Sequence, residues 1–153
     1  MRSSNVALLV VSLLGATSVL SQARADNILI ENDGSKWKLG STVSNPLPVN
    51  VTRGAVIEFR VTGPHGVVTL NKPGDQMPSP DLEFVLACGE KPDSKPNYVL
   101  REVECGDSSK FNKVLTSPMK LEVTDRFQND VHFWCIIHKQ NMWGTFKLTS
   151  SRQ

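Results

Sequence analysis

Three side chains able to hold a soft metal ion stand within eight residues near the C-terminal end: Cys135, His138 and Met142. A thiolate with an imidazole favours copper or zinc, and an added thioether tips the set toward copper. Val131, Phe133 and Cys135 alternate as apolar residues before the group, and Thr145-Phe146-Lys147-Leu148 resumes strand character after it. The candidates are therefore expected in the loop of a β-hairpin. So short a loop can aim side chains at one point but cannot surround an ion. A fourth donor has to come from upstream.

Histidine is scarce: His65, His132 and His138 are the whole complement. A site with two imidazoles must draw on two of them. His65 lies in Gly63-Pro64-His65-Gly66, between two strand-like runs, where Pro and Gly hold a tight path that can present an imidazole at the end of a sheet. His132 is its competitor. Side chains alternate faces along a strand, so with Cys135 inward, His132 and Trp134 turn the other way unless a bulge intervenes. His65 is the expected second imidazole and His132 a surface or second-layer residue.

The elements that must position these residues read as short strands. Asn27–Ile30 and Trp37–Leu39 form a first pair across the turn signal Asn32-Asp33-Gly34-Ser35. Asn45-Pro46-Leu47-Pro48 is a loop or edge segment, and Val49-Asn50-Val51 leads to a turn at Arg53-Gly54. Val56–Val61 and Val67–Leu70 are β-branched and apolar runs on either side of His65, and Lys120–Val123 alternates charged and apolar. Residues 71–118 hold most of the prolines, two of the three cysteines and the runs Phe84-Val85-Leu86 and Tyr98-Val99-Leu100. A short helix is expected at Pro80–Leu86, capped by Ser79 with Pro80 as its first residue. No repeat and no sustained helical period is present. Many short strands between Gly, Pro and Asn argue for an all-β antiparallel sandwich or barrel.

The first 25 residues read as a cleaved secretory signal: Arg2, an apolar run from Val6 to Leu14 and on to Leu20, then Ala23-Arg24-Ala25. The run is shorter than the ~20 residues that span a bilayer. Residues 26–153 are then expected as one exported, periplasmic domain with an insertion around 71–118. The chain carries 17 basic and 15 acidic residues, and the signal holds Arg2 and Arg24 and no acid. The mature domain is thus balanced, which gives no reason to expect nucleic acid or an anionic membrane as partner. Export implies an oxidising compartment, where two of three cysteines should pair. A Cys88–Cys105 disulfide leaves Cys135 for the metal; pairing of Cys135 with either of the others would abolish the site.

Two stretches together resemble the cupredoxins, the blue copper proteins of the plastocyanin and azurin type. Val51-Thr52-Arg53-Gly54-Ala55-Val56-Ile57-Glu58-Phe59 with Pro64-His65-Gly66-Val67 looks like their first half. Phe133-Trp134-Cys135-Ile136-Ile137-His138, followed by Met142-Trp143-Gly144-Thr145, looks like their Cys–His–Met loop. The likeness covers about residues 49–70 and 119–149. The departure is Lys139-Gln140-Asn141, three residues between His138 and Met142 where plastocyanin-like loops carry more. The resemblance implies a Greek-key β-sandwich holding one type 1 copper, with Cys135 as thiolate, His65 and His138 as equatorial imidazoles and Met142 as axial thioether. It implies a monomeric carrier of single electrons between redox partner proteins. Copper storage or delivery at the same site is the alternative, set back by the few methionines after the signal: Met77, Met119 and Met142. An enzyme is disfavoured by counting, because a second, substrate-binding copper would need histidines that the chain does not have.

Overall fold

In a computed structural model, the residues described are 26–70, 86–88, 98–104, 115 and 118–149. They form eleven strands: β1 (Asn27–Asp33), β2 (Lys36–Leu39), β3 (Thr42–Ser44), β4 (Leu47–Val51), β5 (Val56–Phe59), β6 (Val67–Leu70), β7 (Leu86–Cys88), β8 (Leu100–Glu104), β9 (Met119–Val123), β10 (Val131–Cys135) and β11 (Lys139–Leu148). Two sheets result, one of seven strands in the order β3-β2-β1-β5-β9-β8-β7 and one of four in the order β4-β11-β10-β6. The fold is the all-β sandwich that the sequence implied. Both sheets are mixed, since β1 pairs with β5, β4 with β11 and β7 with β8 in parallel.

Alternation explains which faces meet. β4 and β9 bury every second residue, the pattern of strands with one face on a core. Trp37, Ile57, Phe59 and Leu121 from the larger sheet pack with Leu47, Val49, Phe133 and Phe146 from the smaller. Aromatic rings lock the interface: Phe59 meets Trp37 and Phe133 edge to face at 5.4 and 5.3 Å, and Phe133 stacks on Phe146 at 4.4 Å. Fully burying side chains of this kind is worth roughly 1.5–3 kcal/mol each. Among the described residues, no helix is long and apolar enough to cross a membrane.

Several expectations need adjustment. Asn32 and Asp33 belong to β1, and only Gly34 and Ser35 turn the chain into β2. β5 stops at Phe59, short of Val61. The expected hairpin loop shrinks to Ile136–His138, because β11 starts at Lys139 and takes Met142 into the strand. The expected insertion supplies β7 and β8, which extend the larger sheet beyond β9. Of the helix expected at 80–86, only Leu86 is described, and it begins β7. The signal segment and the Cys88–Cys105 pairing lie outside the described residues.

Candidate metal centre

β10 delivers Cys135 to one end of the sandwich. Val131, Phe133 and Cys135 all face the core, as the alternation required, and Cys135 is a free thiol with 0% exposure. The β10–β11 ladder pairs Val131 with Phe146 and Phe133 with Gly144. One more step on that inward face would set Cys135 across from Met142. Instead the register shifts between Trp134 and Cys135, which brings Lys139 opposite Cys135 and frees Ile136–His138 to form the turn. Lys139 closes that turn with φ at +50°, a left-handed conformation common in three-residue hairpin loops.

His65 arrives from the segment between β5 and β6. Gly63, with φ at +93°, reverses the chain, and the His65 N–H donates to Gly63 O at 2.9 Å. The His65 carbonyl accepts the Leu115 N–H at 2.6 Å, and the Ile136 N–H donates to Gly66 O at 3.3 Å, tying this segment to the turn after Cys135. His65 is 4% exposed. Burial lowers its pKa below the ordinary histidine value, and the nearby His138 lowers it further.

These residues converge. His65, Cys135 and His138 place their donor atoms within 4.8 Å of one another. Cys135 Sγ lies 3.7 Å from His65 Nδ1 and 3.4 Å from His138 Nδ1. The two imidazole rings sit 4.9 Å apart, tilted by 37°. An ion ~2.3 Å from sulfur and ~2.1 Å from each nitrogen would separate sulfur and nitrogen by roughly 3.5–3.8 Å at tetrahedral to trigonal angles. The 3.7 Å spacing falls inside that range and the 3.4 Å spacing just below it, and the donor types suit copper or zinc. The residues present therefore fit a metal ion. Met142 is fully buried on the inward face of β11. His132 stays outside the cluster: its Nδ1 pairs with Thr145 Oγ1 at 2.9 Å, and its ring lies edge to face against Trp143.

Three supporting side chains were missed from sequence. Trp37 donates its indole N–H to the Met142 carbonyl at 3.1 Å and packs 6.4 Å from the His65 ring. Asn45 accepts the Trp143 N–H at 2.9 Å and donates to Gln140 O at 3.0 Å, stapling the start of β11. Asn32 reaches His65 Nε2 at 3.1 Å. No local pattern announces any of them, because each acts on a partner between 33 and 105 positions away.

Sandwich and cluster together define the class: an all-β domain with, among the described residues, one candidate soft-metal centre. Among solved structures the chain is similar to amicyanin from Paracoccus versutus (Thiobacillus versutus), at 11% identity and a TM-score of 0.45, with 84% of this chain and 86% of that chain covered. No protein-family model matches the chain, and no curated protein does.

Proposed function

We propose that this protein is an exported carrier of single electrons built on one type 1 copper ion, held by His65, Cys135 and His138 with Met142 as a weak axial donor. The observation that carries this reading is the convergence of two imidazole nitrogens and one free, buried thiol within 4.8 Å. Copper in such a set cycles between its two oxidation states. The chain's part is to keep the donors in place while it does so. Cys135 is fixed by the core and His65 by its backbone bonds and Asn32. Trp37 and Asn45 hold the strand that carries Met142.

His138 is the half-buried member of the set, so it is the natural point of electron entry and exit. Beside it lie Ile137, 46% exposed, and the partly buried Ile136 and Trp143. This apolar rim would receive redox partner proteins. The reading includes no catalysed reaction at the centre, and the signal expected over residues 1–25 would deliver the protein to the periplasm.

The test is an optical spectrum of the purified protein after Cu(II) is added, with Cys135→Ser beside it. A strong visible thiolate-to-copper band is expected, absent in the variant, bleached by a mild reductant and restored on reoxidation. Copper bound without reversible bleaching would sink electron transfer and favour copper storage or delivery. Zinc bound in place of copper would sink both.

A further inference from the structure

β11 carries three residues, Gln140, Asn141 and Met142, that fall between its ladders. Against β10, Trp143 stands opposite Trp134 and Lys139 opposite Cys135, so these three are extra. Against β4, pairing starts only at Gly144 and Leu47. The backbone of this bulge therefore has to find hydrogen bonds elsewhere. The Asn141 N–H finds the His138 carbonyl at 3.0 Å, and the Met142 carbonyl finds the Trp37 indole at 3.1 Å. Asn45 serves two further groups. Its Oδ1 accepts the Trp143 N–H at 2.9 Å, and its Nδ2 donates to Gln140 O at 3.0 Å. Turning the amide over would set oxygen on oxygen and NH2 on N–H, so these partners fix which end is which. Asn45 lies in the connection just before β4, and Pro46 after it has no N–H to offer. The side-chain amide thus supplies the donor and the acceptor that one more peptide group of β4 would have supplied.

We propose that Asn45 is a positioning residue for Met142: by holding the peptide groups on either side of it, Gln140 O and Trp143 N–H, it fixes where the thioether stands relative to Cys135 and His138. Cys135 is carried by a paired strand and His65 by its own backbone bonds, so neither depends on Asn45. Met142 has no strand partner of its own, and its side chain is unbranched with three rotatable bonds. Its place at the inward face is therefore only as definite as the backbone beneath it. The positioning concerns the chain alone; that the thioether so placed acts on copper rests on the reading above.

NMR of the metal-free protein, labelled at its methionine methyl groups, reads the positioning directly, with the buried Met119 of β9 as internal reference. The parent should give one ordered Met142 methyl resonance and a protected Trp143 amide. In Asn45→Ala the Met142 methyl should spread over several positions while Met119 stays unchanged. The Trp143 amide should exchange roughly tenfold faster, the order of one lost hydrogen bond. On the copper-loaded protein the reduction potential separates positioning from stability. Asn45→Ala should shift it in the direction that Met142→Leu does. The double variant should equal Met142→Leu alone, because a residue that acts through Met142 then has nothing to act on. A Met142 methyl as ordered in Asn45→Ala as in the parent, a potential that Met142→Leu moves and Asn45→Ala does not, or shifts that add in the double variant would each overturn the proposal. If Asn45→Ala does not fold, Asn45→Asp, which keeps the acceptor for the Trp143 N–H and opposes Gln140 O, is read in the same way. A parent whose Trp143 amide exchanges as fast as that of an open loop overturns the proposal without any variant. Release of the Met142 methyl in a protein that takes up no copper, or whose potential Met142→Leu leaves unchanged, supports the positioning and sinks the part of Met142 in the copper reading instead.

Discussion

Trp37 shows how a single residue can hold both the core and the site. Its ring is fully buried among Phe59, Phe133 and His65, and its indole N–H satisfies the Met142 carbonyl. Trp37→Phe keeps an aromatic ring but strands that carbonyl in the core, where an unmet acceptor costs about 1–3 kcal/mol. The loss should appear as a lower denaturant midpoint, and the visible band of the Cu(II) form should shift as the Met142 backbone is released. His132 makes a different prediction. Burial lowers its pKa below the usual 6.5; Asp130 opposes that shift and Lys147 adds to it. The unfolded chain then takes up the proton first, so stability is full above about pH 6.5 and falls as the pH drops toward the folded value. Denaturant midpoints across that window should flatten in His132→Gln, with a residual slope from His65, which is shifted the same way.

Strands carry the next level of constraint, and β11 is the one with least room. A Cβ at Gly144 would stand 2.3 Å from Phe133 Cζ and 2.6 Å from Leu47 O. The ring can rotate aside, but the carbonyl belongs to the parallel ladder of β4 with β11 and cannot move alone. Gly144→Ala should therefore cost roughly 2–3 kcal/mol or more, at the upper end of overpacking, and thermal melts of the metal-free chain would measure it. The same level explains what the sequence could and could not reveal. β5, β6, β9 and β10 were readable because each carries its own apolar face, whereas the prolines at 46 and 48 made the start of β4 read as a loop or edge segment. β8 was not: of Leu100-Arg101-Glu102-Val103-Glu104 only Leu100 is fully buried. Its outer face is held by Arg101 with Glu122 and by Lys120 with Glu104, pairs that exist only once β9 lies beside it. The three donors of the cluster were legible from residue type and spacing. The bulge that turns His138 toward Cys135 was not, because it follows from pairing between strands.

At the scale of the whole molecule, the cluster joins segments that are far apart in the chain. His65 lies 70 positions before Cys135, and the side chains that brace the site, Asn32, Trp37 and Asn45, all come from the strands and turns before β4. The aromatic core and these braces hold the donors in position. An ion bound there would act as a cross-link on a site already formed and would stabilise the folded state by mass action. At a free concentration one hundred times the dissociation constant this amounts to about 2.7 kcal/mol. Copper loading is therefore expected to raise the melting temperature by several degrees, and removal by a chelator to restore the original value. The far-UV circular dichroism should stay unchanged throughout. Cys135→Ser should fold but show no such rise. A chain that lost its sheet signal on copper removal would show instead that the ion builds the site, and that the core and braces are insufficient to preform it.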